Sequence, residues 1–158
     1  MFERILVCLD GSELAEQILP YATEQALRFN SKLTLLQVVT MPSSVYMASA
    51  AGEPPQAGDM IAKEIQRQEA EARAYVDRVA KSLLKKGIDA GGVVLGPLQP
   101  GKAIVKYAQD NAIDLICIAT HGRSGLGRVV FGSVADLVLR ESGLPILVIK
   151  PKETETKK

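Results

Sequence analysis

The chain has 158 residues, 47% of them hydrophobic and 23% charged, which suits one globular domain that buries a core without disulfides or metals. Its 19 basic residues nearly balance its 18 acidic ones, so no basic field indicates nucleic-acid binding. No apolar run reaches membrane-spanning length and the N-terminus lacks a signal-peptide pattern, so we expect a cytoplasmic protein without a membrane partner.

The first half of the chain alternates short apolar strands with helical patterns. The run Ile5–Leu9 predicts the first strand, and a helix over about Glu13–Phe29 should follow, with Asn30 as its stop. Apolar residues at helical spacing predict the buried face of that helix: Leu14, Ile18, Tyr21, Ala22 and Ala26. Leu33–Val39 predicts the second strand, and the prolines and glycines of Met41–Asp59 predict a mobile loop.

The second half continues this alternation. A long helix is predicted over about Met60–Lys86, with Gly87 as its stop. Its polar face should be solvated surface rather than a partner site: Lys63, Arg67, Glu71, Arg73 and Asp77. The remaining predicted elements are the strand Gly92–Leu95, the helix Lys102–Asn111, the strand Asp114–Ala119, the helix Ser133–Glu141 with Gly143 as its stop, and the strand Pro145–Ile149.

The strands are apolar throughout, which is typical of a parallel sheet covered by helices on both faces. Strand-helix alternation with right-handed crossovers therefore predicts a single-domain α/β protein with a doubly wound, Rossmann-like sheet. We expect the domain to cover residues 1–151 and the charged tail 152–158 to be disordered. In such a sheet, ligands bind outside the carboxyl ends of the strands where the strand order reverses.

The first strand ends in a segment that can bind a ligand, Leu9-Asp10-Gly11-Ser12. The Asp10 carboxylate could accept hydrogen bonds from a ribose or hold a metal ion bound to phosphates. The alternative is that Asp10 or Ser12 merely caps the following helix, which both residue types do well.

The fourth strand leads into a second candidate, the glycine-rich segment Ala119–Ser133. Its glycines allow the backbone to approach phosphate oxygens, and its arginines could add charged contacts: Gly122, Gly125, Gly127, Gly132, Arg123 and Arg128. Ser133 opens a helix whose N–H groups and dipole favour an anion. Phosphate binding is favoured over an ordinary turn, whereas His121 has no partner at metal-ligand spacing and is expected to serve loop structure.

These residues resemble the universal stress protein family, and the likeness extends over about Phe2–Pro151. Nucleotide-binding members of that family carry a glycine, two residues, a glycine, nine residues, and then Gly-Ser or Gly-Thr. Gly122, the segment Arg123–Phe131 and the pair Gly132-Ser133 fit this spacing. The first position departs from it, since Ala119 replaces a glycine, although alanine still offers its backbone N–H and C=O groups.

The resemblance implies a five-stranded parallel sheet ordered 3-2-1-4-5 and a cleft that holds ATP, ADP or AMP, with or without Mg²⁺. It places Asp10 near the ribose and phosphates and the Val38 backbone at the adenine. The implied site residues are Asp10, Val38, Ala119, Gly122, Arg123, Gly125, Gly132 and Ser133. It further implies a regulatory role in the stress response and a homodimer formed through Pro145–Ile149.

Two other functions stay open at this point. One is a dimeric interaction module that works without nucleotide, as family members lacking the glycine pattern do. The other is a nucleotidyl-transfer enzyme of related fold, which usually carries a Ser-Gly-Gly loop that Leu9-Asp10-Gly11-Ser12 does not match. No base, nucleophile and orienting group converge in the sequence, so we do not expect an enzyme beyond weak ATP hydrolysis.

Two further features are interpreted without a function. The segment Gly96–Ala103 resembles a Walker A loop, but Ala103 stands where Ser or Thr would hold magnesium and two prolines remove N–H donors. We expect this loop to lie at an edge strand, away from the reversal point. Cys8 and Cys117 both fall in apolar strands and are expected to be reduced, buried thiols, although neighbouring strands could bring them close together.

Overall fold

A computed structural model describes residues 1–42, 45, 58–120 and 132–152 as one α/β fold. The elements, in chain order, are β1 (Arg4–Leu9), α1 (Glu13–Glu16), α2 (Leu19–Phe29), β2 (Lys32–Val38), α3 (Gly58–Leu84), β3 (Ala90–Leu95), α4 (Pro100–Asp110), β4 (Leu115–Ala119), α5 (Ser133–Glu141) and β5 (Ile146–Ile149). In these residues, no helix combines the length and the apolar character needed to cross a membrane.

The strands form a five-stranded, all-parallel sheet in the order β3-β2-β1-β4-β5. This confirms the predicted order and the doubly wound, Rossmann-like class. β1 lies at the centre, with Val7 opposite Leu35 of β2 on one side and opposite Cys117 of β4 on the other. β3 and β5 are the edge strands.

Each face of the sheet carries its own hydrophobic core. Ile5, Val7 and Leu9 of β1 pack in the first core, which α1, α2 and α3 cover. The alternate residues Leu6 and Cys8 pack in the second core, which α4 and α5 cover. Because successive side chains of a strand point to opposite faces, burial on both faces requires an apolar residue at every position. This is why the central strands lack polar alternation.

The first predicted helix is wrong as a single element, because it divides into α1 and α2 around residues 17 and 18. Pro20 stands in the first turn of α2, where its missing N–H costs nothing, but within a continuous helix it would clash with the carbonyl of Glu16. The chain crosses the break with tighter bonds, such as that from the Ile18 N–H to the Ala15 carbonyl at 3.2 Å. Tyr21 is 55% exposed, so its predicted burial is also wrong.

The predicted helix stops are confirmed. Asn30 ends α2 in the left-handed region (φ 53°), and Gly87 and Gly143 follow α3 and α5 with φ values of 79° and 64°. α3 nevertheless begins at Gly58, inside the segment expected to be a loop, and residues 43, 44 and 46–57 of that segment lie outside the described residues. The tail beyond Lys152 also lies outside them.

The remaining boundaries move by one or two residues. β3 begins at Ala90, two residues earlier than predicted. α4 begins at Pro100, also two residues early, because proline suits a first-turn position. β4 and β5 each begin one residue later than predicted, and α5 spans Ser133–Glu141 as predicted.

Asp114 ties the start of β4 to the start of β1. Its Oδ2 accepts hydrogen bonds from the backbone N–H groups of Glu3 and Arg4, both at 2.8 Å, and its own N–H donates to the Arg4 carbonyl at 2.9 Å. This carboxylate therefore satisfies the N–H groups of Glu3 and Arg4 at the start of β1.

We predict that Asp114→Ala lowers the free energy of unfolding by about 1–2 kcal/mol, because two backbone donors lose a charged acceptor. Asp110→Ala is the matched control, since among the described residues Asp110 makes an exposed ion pair with Lys106, and it should change stability by less than about 0.5 kcal/mol. Urea unfolding of both variants measures the difference, and equal midpoints for the two would contradict the assignment.

Candidate functional site

A cleft opens at the point where the strand order reverses. β1 continues into α1 on the first-core face, whereas β4 leads to α5 on the second-core face. Because the two connections diverge, a crevice is left between the carboxyl ends of β1 and β4. It holds a cavity of about 710 Å³, large enough for a nucleotide-sized ligand. Of the sequence-predicted site residues that the structure describes, all line this cavity: Asp10, Val38, Ala119, Gly132 and Ser133.

The turn from β1 to α1 supplies one wall. Gly11 has a φ of 84°, a conformation that other residues rarely adopt, so glycine is required for the chain to turn sharply after Asp10. Asp10 Oδ1 accepts hydrogen bonds from the Ser12 N–H at 2.9 Å and the Ser12 hydroxyl at 2.6 Å. Ser12 Oγ in turn accepts from the Ala15 N–H at 3.1 Å, which makes Ser12 the cap of α1. The capping interpretation is therefore correct for Ser12, and Asp10 both fastens this turn and lines the cavity.

The end of β2 presents a backbone edge. The N–H groups of Leu33 and Val39 donate to carbonyls on the β3 side, at 2.8 and 2.7 Å. Peptide groups alternate sides along a strand, so the N–H and C=O groups of Val38 point toward β1. β1, however, ends at Leu9, opposite Gln37. The Val38 carbonyl therefore faces the cavity just beyond the end of β1, where a ligand edge can pair with it.

The N-terminus of α5 forms the opposite wall. Gly132 is its N-cap residue, and the helix has no side-chain cap bond, so the first-turn N–H groups are left for another acceptor. Gly132, Ser133, Val134 and Ala135 all line the cavity. Ala119, at the end of β4, lines it as well and is 9% exposed.

Several residues of the predicted glycine-rich segment lie outside the described residues. These are His121, Gly122, Arg123, Gly125, Gly127 and Arg128. The phosphate contacts proposed for the glycines and arginines, and the loop role of His121, stay predictions from the sequence.

Gly132 is not required by the fold. Its φ of −58° and ψ of 156° are ordinary for any residue, and a Cβ added there would meet no atom of the described residues within 4 Å. A side chain at this position would instead occupy the part of the cavity next to the first-turn N–H groups of α5. Glycine here keeps that space open.

A third wall, which the sequence did not predict, comes from α3. Gln68, Glu71, Ala72 and Tyr75 line the cavity. Glu71 is 62% exposed, as expected for solvated surface, and it pairs with Arg67 at 2.6 Å, but it also lines the cavity, which the sequence did not predict. The helical period of α3 identifies which residues share a face, but which face meets the cleft depends on how the helix crosses the sheet.

Tyr75 is 8% exposed and carries a perturbed hydroxyl. Burial raises the pKa of this group above its ordinary value, and the carboxylates of Glu16 and Asp10 raise it further. The hydroxyl stays protonated at neutral pH and can donate a hydrogen bond.

The Walker-like segment follows the edge strand β3, as expected, but it lies nearer to the cleft than predicted. Pro100 and Ile104 of α4 line the cavity because this helix packs against β2 in the second core. Lys102 is exposed and is absent from the lining. Within the described residues, no three His, Cys, Asp or Glu side chains cluster as metal ligands.

The two cysteines lie on opposite faces of the sheet. Cys117 stands opposite Val7 and packs in the first core, while Cys8 stands opposite Ile118 and packs in the second. The two strands are neighbours, but this register keeps the thiols from pairing. Burial, and to a lesser extent the nearby Cys117 thiol, raises the pKa of the Cys8 thiol. Burial also raises the pKa of the Cys117 thiol to about 12.

Comparison with known proteins places these observations in a family. The model of the universal stress protein family matches residues 1–150. The universal stress protein MJ0531 of Methanocaldococcus jannaschii is 26% identical over 155 residues, which cover 98% of this chain and 86% of that protein.

Solved structures agree with this match. The structure of MJ0577, a universal stress protein of the same organism, superimposes with a TM-score of 0.75 at 25% identity and covers 98% of this chain and 99% of that one. A universal stress protein in complex with cAMP and one from Archaeoglobus fulgidus in complex with dAMP each have a TM-score of 0.59, at 20% and 19% identity. They cover 94% and 95% of this chain and 97% and 98% of their own chains, and they share its fold.

We predict that both thiols react slowly with a thiol reagent at pH 8 in the native protein, because raised pKa values leave little thiolate and burial blocks access. Unfolding in guanidinium should make both react at the rate of free cysteine. Mass spectrometry of the native protein should show two reduced thiols. Rapid labelling before unfolding, or the mass of a disulfide form, would contradict the burial on opposite faces.

Proposed function

Because the chain belongs to the universal stress protein family, we propose that it binds ATP, or the related ADP or AMP, in the cleft between β1 and β4. The observation that carries the proposal is that three complementary surfaces share one cavity. These are the uncapped N-terminus of α5, the Asp10 turn and the Val38 carbonyl beyond the end of β1. The solved relatives with cAMP and dAMP bind adenine nucleotides on the same fold, which supports this ligand class.

Each surface suits one part of the nucleotide. The N–H groups of Gly132, Ser133 and their neighbours in the first turn favour phosphate oxygens, aided by the helix dipole. The backbone of Val38 can pair with the adenine edge, as the family pattern implies. Ala119 keeps the backbone groups of the family glycine, and Gly122, Arg123 and Gly125 are assigned to the phosphates from the sequence alone.

Mg²⁺ fits this arrangement only together with the nucleotide. Asp10 offers a carboxylate oxygen, the type of ligand that Mg²⁺ prefers. Mg²⁺ usually completes its octahedral shell with substrate phosphates and waters, so one carboxylate is enough when phosphates are present. The ion would neutralise phosphate charge beside Asp10, which lines the cavity.

We propose a regulatory protein of the stress response that acts through nucleotide binding in the cytoplasm, and not an enzyme beyond weak ATP hydrolysis. Two buried, free cysteines are compatible with a reducing compartment. An interaction module that needs no nucleotide is the alternative.

We also propose a homodimer formed through β5. The carbonyls of Pro145 and Ile149 accept bonds from the β4 side, from the N–H groups of Ile116 at 3.1 Å and Thr120 at 2.9 Å. By alternation, the peptide groups of Ile146 and Val148 point to the open edge. A second copy can pair there around a two-fold axis, which covers both edges at once.

The chain beyond β5 leaves this edge open as far as it is described. Gln17, at the junction of α1 and α2, donates through Nε2 to the Lys152 carbonyl at 2.8 Å and accepts from the Lys152 N–H at 2.9 Å. This pair of bonds draws the chain toward the helices of the first-core face. It favours dimerisation over the competing view that the tail covers β5.

We predict that Gly132→Val abolishes ATP binding, because its branched side chain fills the space at the α5 N-terminus, while the fold tolerates it. Lys102→Ala is the matched control and should bind ATP with an affinity within about twofold of the wild type. Calorimetric titration with ATP and Mg²⁺ measures both. The reverse pattern would identify the Walker-like loop as the site, and no ATP binding by the wild type would favour the nucleotide-independent alternative.

We predict that Val148→Pro shifts the protein from dimer to monomer, because proline removes an N–H that points to the open edge and not to β4. Val148→Ala keeps that N–H and serves as the control. Light scattering at micromolar concentration gives the mass of each species. A wild-type mass of one subunit, with or without ATP, would rule the dimer out.

A further inference from the structure

Two polar atoms in the cavity wall are buried without a hydrogen-bond partner among the described residues. They are Oε1 of Gln37 and the hydroxyl oxygen of Tyr75, and both side chains line the cavity. The Glu16 carboxylate raises the pKa of Tyr75 both by its charge and by a weak hydrogen-bonding contact, but this contact falls short of full hydrogen-bond geometry. Buried polar groups are almost always paired, so two unpaired ones in one cavity indicate a ligand that pairs with them.

Both side chains come from the same face of the sheet. Gln37 alternates with Leu33 and Leu35, which pack in the first core together with Tyr75. A Cβ added to Gly11 would lie 3.6 Å from Nε2 of Gln37, so this amide stands beside the turn that carries Asp10. The pair therefore lies at the α3 side of the cavity, next to the Val38 edge and across from the N-terminus of α5.

The chemistry of the two atoms selects among the parts of a nucleotide. Oε1 of Gln37 only accepts hydrogen bonds, and the protonated hydroxyl of Tyr75 can donate one. Phosphate oxygens only accept, and the carboxylates of Asp10 and Glu71 in the same cavity repel them further. A sugar hydroxyl both donates and accepts, so it can satisfy Gln37 and Tyr75 together.

We propose that Gln37 and Tyr75 bind the ribose cis-diol and make the cavity select ribonucleotides over deoxyribonucleotides. This inference rests on the proposed function, because it assigns specificity within the same cavity. The adenine edge is the competing partner, since its amino group donates and its ring nitrogen accepts. The Val38 carbonyl already offers an acceptor to that edge, which leaves the side-chain pair for the sugar.

Affinities for ATP, 2′-dATP and 3′-dATP test the proposal by calorimetry. The wild type should bind at least one of the deoxy analogues about tenfold or more weakly than ATP, because a missing hydroxyl leaves a buried partner unpaired. Tyr75→Phe and Gln37→Leu should each weaken ATP binding about tenfold while leaving the affinity for that analogue nearly unchanged. The ratio of the two affinities should therefore fall toward one. Thermal unfolding confirms that each variant is folded before titration.

Tyr21→Phe is the matched control, since it removes the hydroxyl of an exposed tyrosine on α2 and should leave all three affinities unchanged. Equal wild-type affinity for ATP and both analogues would overturn the inference while leaving the proposed function intact. Equal losses for all three nucleotides in both variants would also overturn it. If the variants instead changed the preference for ATP over inosine triphosphate, the pair would be assigned to the base, and the inference would likewise fail. Absence of ATP binding by the wild type would overturn both proposals.

Discussion

The pairing of β1 with β2 on one side and β4 on the other is the constraint on which the rest of the molecule depends. Because both neighbours are parallel, every connection must cross over the sheet, and the crossovers on the two sides of β1 lie on opposite faces. The connections that leave the carboxyl ends of β1 and β4 therefore run to opposite faces of the sheet. Two cores and one cleft follow from the same arrangement, since each face needs its own helices and neither set can close the gap between them.

The sequence predicted the fold well because the signals that define it are local. A strand buried on both faces is apolar at every position, and Asn30, Gly87 and Gly143 end helices through backbone conformations that their residue types favour. The strand order itself came from the family pattern, since apolar runs alone do not say which strands are neighbours. The break before Pro20 had a local signal as well, which the helical period of the flanking residues masked.

The site was predictable only where it is contiguous in the chain. Asp10, Ala119 and Gly132 follow strand ends or precede a helix, so sequence position places them at the cleft. Tyr75 and Glu71 reach it because α3 crosses beside β2 and β3, which is a property of packing and not of spacing. The same limit applies to Cys8 and Cys117. Whether they share a face depends on the parity of the β1–β4 register, which neither strand encodes by itself.

The charge distribution along the cavity favours one orientation of the proposed ligand. At the α5 end the described wall offers backbone N–H groups and the positive end of a helix dipole. At the α3 end it offers the carboxylate of Glu71 and the neutral groups of Gln37 and Tyr75, with Asp10 between the two ends. A nucleotide carries all its negative charge at the phosphates, so the opposite orientation would place phosphate against Glu71 and leave the helix terminus facing an uncharged base. The walls therefore favour a single orientation, with the phosphates at α5 and the nucleoside between β2 and α3.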